Sequence, residues 1–267
     1  MTLLLLLQLL ALGAASGFLA GLLGIGGGML MVPFLTALLQ AQGASEALAV
    51  KMAIATSMAC IVATSLSSAR AHHARGAVRW PLVRAIAPGI VIGGLVSGAG
   101  LFALVKGQGL AALFAVFVGF SAWQMWRGKQ PTAARPLPKP AALLGVGGVI
   151  GLLSGLVGAG GGFLAVPFMA WCSVPIHTAV ATSAALGLPV ALSNTLGYVV
   201  GGWGLVNPVP GAFGYLYLPA LAVLMPITVL LAPLGARAAH ALPVAQLKRA
   251  FAVLLMLLAA YMATKAF

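Results

Sequence analysis

The chain reads as an all-α polytopic membrane protein made of two inverted-topology repeats. Each repeat holds roughly five helical segments: eight full spans in all, with short broken or re-entrant helices bringing the total to as many as ten segments. Three observations lead there. Composition is 62% hydrophobic and only 6% charged, with a mean hydropathy of +1.14, too little polar surface to keep a folded chain in water. A glycine-rich stretch occurs twice, Gly17 to Phe34 and Gly151 to Phe168, and marks an internal duplication. The apolar runs also repeat in the same order in both halves, and the second run of each half is too short to cross a bilayer.

In order, the apolar runs fall at 3–23, 29–40, 46–69, 80–104 and 109–126, then at 141–157, 163–173, 177–200, 214–239 and 244–264. The first run resembles a signal peptide, with Ala14-Ala15-Ser16 in the place of a cleavage site, but it lacks a basic n-region. Its repeat copy from Ala141 also lies mid-chain, so it is expected to be a retained helix. The first two runs of each half form a broken helix or a re-entrant hairpin. Residues 1–128 make the first repeat, 129–140 a Pro-rich linker, and 141–267 the second repeat. The match extends past the glycines: Ala55-Thr56-Ser57 corresponds to Ala181-Thr182-Ser183, and Gly76, Pro81 and Pro88 to Gly214, Pro219 and Pro226.

Fourteen Lys and Arg stand against one acid, Glu46, for a net charge of +13. Most of the cations lie in loops, as the positive-inside rule expects. The loop His72 to Arg79 and the inter-repeat linker should therefore be cytoplasmic, and the uncharged loop from Gly201 should face outside. A nucleic-acid role needs an exposed basic domain, and the sequence offers none. An interior nearly without carboxylates suits an anionic substrate. Cys60 and Cys172 have no metal-ligand spacing and read as core residues, so neither metal nor cofactor is implied. Partners are a small anion and the lipid bilayer, and a homodimer is compatible with the sequence.

The candidate anion site is a pair of nests. Gly24, Gly26, Gly27 and Gly28, with Gly158, Gly160, Gly161 and Gly162, let consecutive amides curl together where each short helix begins. The helix that follows aims unpaired N–H groups and the positive end of its dipole at the same point. The competing interpretation is close helix packing. It suits the spaced pairs Gly17/Gly21 and Gly151/Gly155 better than the consecutive glycines. Ser57, Thr64 and Ser68 share one face of the third segment, and Ser183, Val190 and Asn194 the equivalent face. Their polar groups can donate to an oxyanion. Thr56 and Thr182 stand beside the serines, where a bond back to their own helix is the alternative. Lys51 and His177 hold equivalent positions as gating or coupling residues. Lys51 has a second option in pairing with Glu46, and His177 is the residue type suited to linking transport to protons. His72, His73 and His240 adjoin basic loops and read as solvated, and the five tryptophans read as interface anchors. An intramembrane serine hydrolase using Ser154 with His177 or His240 has little support, since nothing activates that serine. A passive anion channel is the stronger alternative to a carrier.

The paired Gly-x-Gly-Gly-Gly-x-x-x-x-Pro segments at Gly24–Pro33 and Gly158–Pro167, the repeated Ala-Thr-Ser, the His72-x-x-x-Gly-x-Val-x-Trp80 run and Gly235-Ala-Arg237 together resemble the sulfite exporter TauE/SafE family. The resemblance covers essentially the full chain. It implies a non-enzymatic, secondary-active carrier of sulfite, organosulfonates or related anions in a bacterial inner membrane. The loop Gly201 to Gly214 departs from the first half's pattern in having no basic or histidine residue.

Overall fold

The computed structural model describes residues 3–24, 27–127, 136–205, 208–241 and 245–266. Ten helices build it: α1 (Leu3–Leu23), α2 (Gly28–Ala41), α3 (Glu46–His73), α4 (Trp80–Leu104), α5 (Gly107–Arg127), α6 (Pro140–Val157), α7 (Gly162–Trp171), α8 (Ile176–Gly201), α9 (Leu218–Ala241) and α10 (Ala245–Ala263). The protein is thus all-α and polytopic. Among the described residues, seven helices (α1, α3, α4, α5, α6, α8 and α9) are long and apolar enough to cross a membrane. Eight full spans were expected; the remaining long helix, α10, runs 19 residues, of which Phe251–Ala263 is its described apolar stretch. At 14 and 10 residues, α2 and α7 are the short helices that the sequence called for.

Two local departures have physical causes. The ninth segment begins at Leu218 rather than 214, because an antiparallel hairpin, β1 (Ala212–Phe213) with β2 (Leu216–Tyr217), precedes it. Gly211 and Gly214 take positive φ there, and Pro219 pre-sets the first turn of α9. In α4, the turn Ser97–Leu101 widens into a π-helix without ending the span.

The packing follows the duplication. α1 lies along α9, and the corresponding pair of the other half, α6 and α4, makes a matching interface. α3 packs on α9 as α8 packs on α4. α3 pairs with α8, and α5 with α10. Exchanging the halves maps each pair onto another or onto itself. Small residues allow the close approaches. A Cβ on Gly21 would overlap the Ala232 carbonyl, one on Gly235 the Phe18 carbonyl, and one on Gly147 the Ile86 carbonyl. The packing interpretation therefore holds for Gly17, Gly21 and Gly151, whose nearest neighbours are helix backbones.

α3 and α8 occupy the centre: 72% and 67% of their apolar windows are buried, and no other span exceeds 44%. The outer helices turn Val116, Phe120, Val149, Leu230 and Leu257 outwards, as a lipid-facing surface requires. Trp80, Trp123, Trp126, Trp171 and Trp203 are all exposed near helix ends. Cys60 and Cys172 are buried free thiols.

Candidate functional site

Each glycine break is a pair of left-handed residues around one short stretch of chain. Gly24 and Gly27 have φ of 68° and 75°, and their counterparts Gly158 and Gly161 both have 77°. An L side chain rarely adopts these angles, which explains why glycine stands at all four positions. Gly27 and Gly161 are the N-caps of α2 and α7, and neither helix has a side-chain cap. The first-turn amides of both short helices are therefore not engaged by a capping side chain, the arrangement that attracts an anion. The two breaks also meet, since a Cβ on Gly28 would overlap the Gly158 carbonyl. Gly24, Gly27, Gly28, Gly158, Gly160, Gly161 and Gly162 are all buried. Gly26 lies outside the described residues.

The Thr-Ser helices brace these breaks reciprocally. Ser183 on α8 donates to the Gly24 carbonyl at 2.9 Å, and Ser57 on α3 donates to the Gly158 carbonyl at 3.3 Å. Each serine thus holds the break of the opposite half. Both hydroxyls also reach a carbonyl of their own helix, Val180 and Ile54 respectively. The threonines accept rather than donate across the fold. Thr56 Oγ1 takes the Tyr217 amide at 2.9 Å, and Thr182 Oγ1 the Arg79 amide at 3.1 Å. Neither bond is the back-bond within the helix that the sequence offered as the alternative. Each threonine pins the chain leading into the fourth helix of the other half.

A second matched pair was not legible as a pair. His72 on α3 is only 1% exposed, which overturns its reading as a solvated loop residue. The helix continues to His73 and carries the ring inward, where Nε2 donates to the Gly21 carbonyl at 3.0 Å. Tyr198 at the equivalent place on α8 donates its hydroxyl to the Gly155 carbonyl. Both carbonyls belong to the last turn of a helix that stops at a glycine break, where the usual helical donor is lost. Aligning the third segments would have set position 72 against 198. His73 is exposed and accepts the Trp80 indole N–H at 3.0 Å. The side chain of His240 lies outside the described residues.

The remaining polar groups differ between the halves. Asn194 Nδ2 donates to the Val190 and Gly151 carbonyls, while its Oδ1 has no hydrogen-bond partner. Ser68, Ser97 and Ser154 are buried with Oγ equally unpartnered. Ser97, on the π-turn, and Asn194 crowd the space above Gly155, and Ser154 Oγ lies near Gly161. Among the proposed ligands, Ser68 and Asn194 thus keep unused hydrogen-bonding capacity, whereas Ser57 and Ser183 spend theirs on the breaks. Sequence reasoning missed Ser97, and it considered Ser154 only as a nucleophile.

Lys51 does not pair with Glu46. Its Nζ donates to the Ala103 carbonyl at the end of α4, at 2.9 Å, and sits 5.9 Å and 5.8 Å from the Phe102 and Tyr215 ring centres. A cation at a helix C-terminus over two aromatic faces has good electrostatic reasons to stay there. Glu46 is half exposed and pairs with Lys265 at 3.3 Å instead. α3 begins a turn before the Thr-Ser register would copy from α8. Lys51 is therefore the sixth residue of its helix, and His177 the second of α8.

The family model for the sulfite exporter TauE/SafE matches residues 9–262. A "Probable membrane transporter protein" of Haemophilus influenzae is 36% identical over 96% of this chain and 97% of its own length. Proteins bearing that description from Methanocaldococcus jannaschii and Xylella fastidiosa are 29% and 30% identical, over 74% and 70% of this chain and 73% and 71% of their own lengths. No solved structure gives a significant match. With the doubled glycine break, seven spans and a family match over nearly its whole length, the chain belongs to the sulfite exporter TauE/SafE family of membrane transporters.

Proposed function

We propose that the protein is a secondary-active carrier of small sulfur oxyanions, sulfite or an organosulfonate, working by alternating access between two inverted repeats. The observation that carries this reading is the pair of helix N-termini without side-chain caps, α2 and α7, whose glycine breaks meet in a buried centre. First-turn amides bind an oxyanion without a fixed positive charge, which keeps release feasible. Asn194 and the additional pair Ser97 and Ser154 supply polar groups with free valences around the second break, and Ser68, equally unpartnered, holds the place on α3 equivalent to Asn194. The only acid of the chain is spent on Lys265 at the surface, so no carboxylate opposes an anion in the interior. The centre is sealed in this conformation. Exchange of the sealed state for one open to either side is the transport step, and Lys51 and His177, each near the beginning of a central helix, are placed to bias it. The basic residues of the His72 to Arg79 loop support its lying inside, in the cytoplasmic membrane of a bacterium.

Thermal unfolding of the detergent-purified protein against sulfite, sulfate, thiosulfate, isethionate, taurine and chloride, at fixed ionic strength, tests the site. A ligand at about 100 times its Kd adds about 2.7 kcal/mol of stability. The expected result is a selective shift with one sulfur oxyanion that disappears in Gly161→Leu; equal stabilisation by every salt would overturn the reading. Counterflow in proteoliposomes then separates a carrier from a channel, since only a carrier accelerates labelled influx when unlabelled substrate is loaded on the far side.

A further inference from the structure

The cations of the two halves do more than mark a membrane face. Three of them, Arg70 near the end of α3, Arg75 just after it and Arg237 on α9, rim one groove of about 660 Å³ between those helices. Its floor is apolar, with Leu66, Val229 and Pro233 prominent. The hydroxyl of Ser67, the polar side chain of the floor, donates to the Val229 carbonyl at 2.8 Å. That carbonyl needs a donor because the residue four places on is Pro233, which has no N–H. Arg75 turns back to donate from Nη1 to the Ala71 carbonyl, which holds its guanidinium at the rim.

We propose that this groove binds one anionic phospholipid, with an acyl chain along the α3–α9 floor and its phosphate among the three guanidiniums. A dry floor whose hydroxyl is already engaged offers nothing to a small hydrated oxyanion, but it matches a hydrocarbon chain. The rim supplies the complementary charge, and the chain's single acid lies elsewhere, on Lys265. Guanidiniums at headgroup depth attract anionic lipid and bind phosphate in planar, bidentate fashion. The duplication provides an internal comparison. In the repeat register, Leu196 and Ala99 stand where Arg70 and Arg237 stand, and both are exposed. The packing frame therefore does not require arginine at those positions. Orientation bias explains which membrane face carries the cations, but not their convergence on one apolar groove. The inference is independent of the substrate carried.

Native mass spectrometry of the wild-type protein, titrated with dioleoyl phosphatidylglycerol or dioleoyl phosphatidylcholine, reads the preference directly. One phosphatidylglycerol should bind about tenfold more tightly than phosphatidylcholine. The double substitution Arg70→Gln/Arg237→Gln should remove the preference, and Arg127→Gln, at a guanidinium stacked on Trp123, should keep it. Leu66→Trp fills the floor without altering charge and should weaken both lipids. Equal binding of the two lipids by wild-type protein overturns the proposal, as does a preference that survives the double substitution. Stabilisation by free glycerol 3-phosphate equal to that by phosphatidylglycerol at the same concentration would assign the groove to a soluble anion and overturn it as well. Should the double variant fail to purify as a single species, the wild-type comparison and Leu66→Trp decide.

Discussion

At the scale of single residues, the breaks are held by side chains that act as substitutes for missing helix donors. Removing the Ser57 or Ser183 hydroxyl leaves a buried glycine carbonyl unpaired. Ser57→Ala and Ser183→Ala should each cost about 1–2 kcal/mol, read as a lower Tm in detergent. Tyr198→Phe should do the same at the Gly155 carbonyl. His72→Phe should be at least as damaging, because it removes the donor to Gly21 and puts a different shape into a site that is 1% exposed. Legibility at this scale is uneven for a physical reason. The breaks and the Thr-Ser pairs are local strings that duplicate visibly. The partners of those groups lie on other helices, so Ser57 and Ser183 could be placed near the breaks but not assigned to the carbonyls they hold. His72 and Tyr198 escaped for a further reason: the position is equivalent but the residue type differs, and only the shared task shows the correspondence.

Among elements, the helices divide into those fitted by small residues and those opened by them. On α1, Gly21 has the backbone of α9 where a Cβ would go, whereas Gly145 on α6 has open space. Gly21→Val should therefore abolish a monodisperse peak in size-exclusion chromatography, and Gly145→Val should leave it intact. Helix α9, with Pro226 and Pro233 in its interior, allows a finer test. In wild-type protein Ser67 satisfies the Val229 carbonyl that Pro233 orphans, so Ser67→Ala should cost about 1 kcal/mol. In a Pro233→Ala background the helix recovers its own donor, and the same substitution should cost close to nothing. Thermal unfolding of the four proteins in that double-mutant cycle measures the coupling. Helix ends were readable to within a few residues because proline and glycine punctuate them. The hairpin before α9 and the π-turn in α4 were not. The first depends on pairing across a turn. The second depends on the neighbouring face of α8, where a Cβ on Gly98 would meet the backbone of Asn194 and Gly197.

For the whole molecule, the interfaces obey the exchange of halves that the duplicated glycine string implies. The inverted topology proposed above predicts opposite membrane faces for Arg75, after α3, and Leu205, after α8. Both native cysteines are buried, so single cysteines introduced as Arg75→Cys and Leu205→Cys give clean reporters. A membrane-impermeant maleimide added outside intact cells should label the Leu205→Cys protein, and the Arg75→Cys protein only after permeabilisation. Labelling of both from the same side would rule out the inverted topology. The same exchange makes each half depend on the other, because the serine that holds each break is supplied by the opposite repeat.

The pairing of α1 with α9 carries a consequence for biogenesis. α1 leaves the ribosome well before α9, its main partner, with seven helices between them. While the intervening helices are inserted, the Gly17/Gly21 face of α1 is without the surface it fits, and a bilayer or an insertase must keep it company. Completion of the native contact waits until α9 has been translated. A chain ending before Leu218 would therefore hold the residues of both serine braces but lack the helix on which α1 and α3 pack.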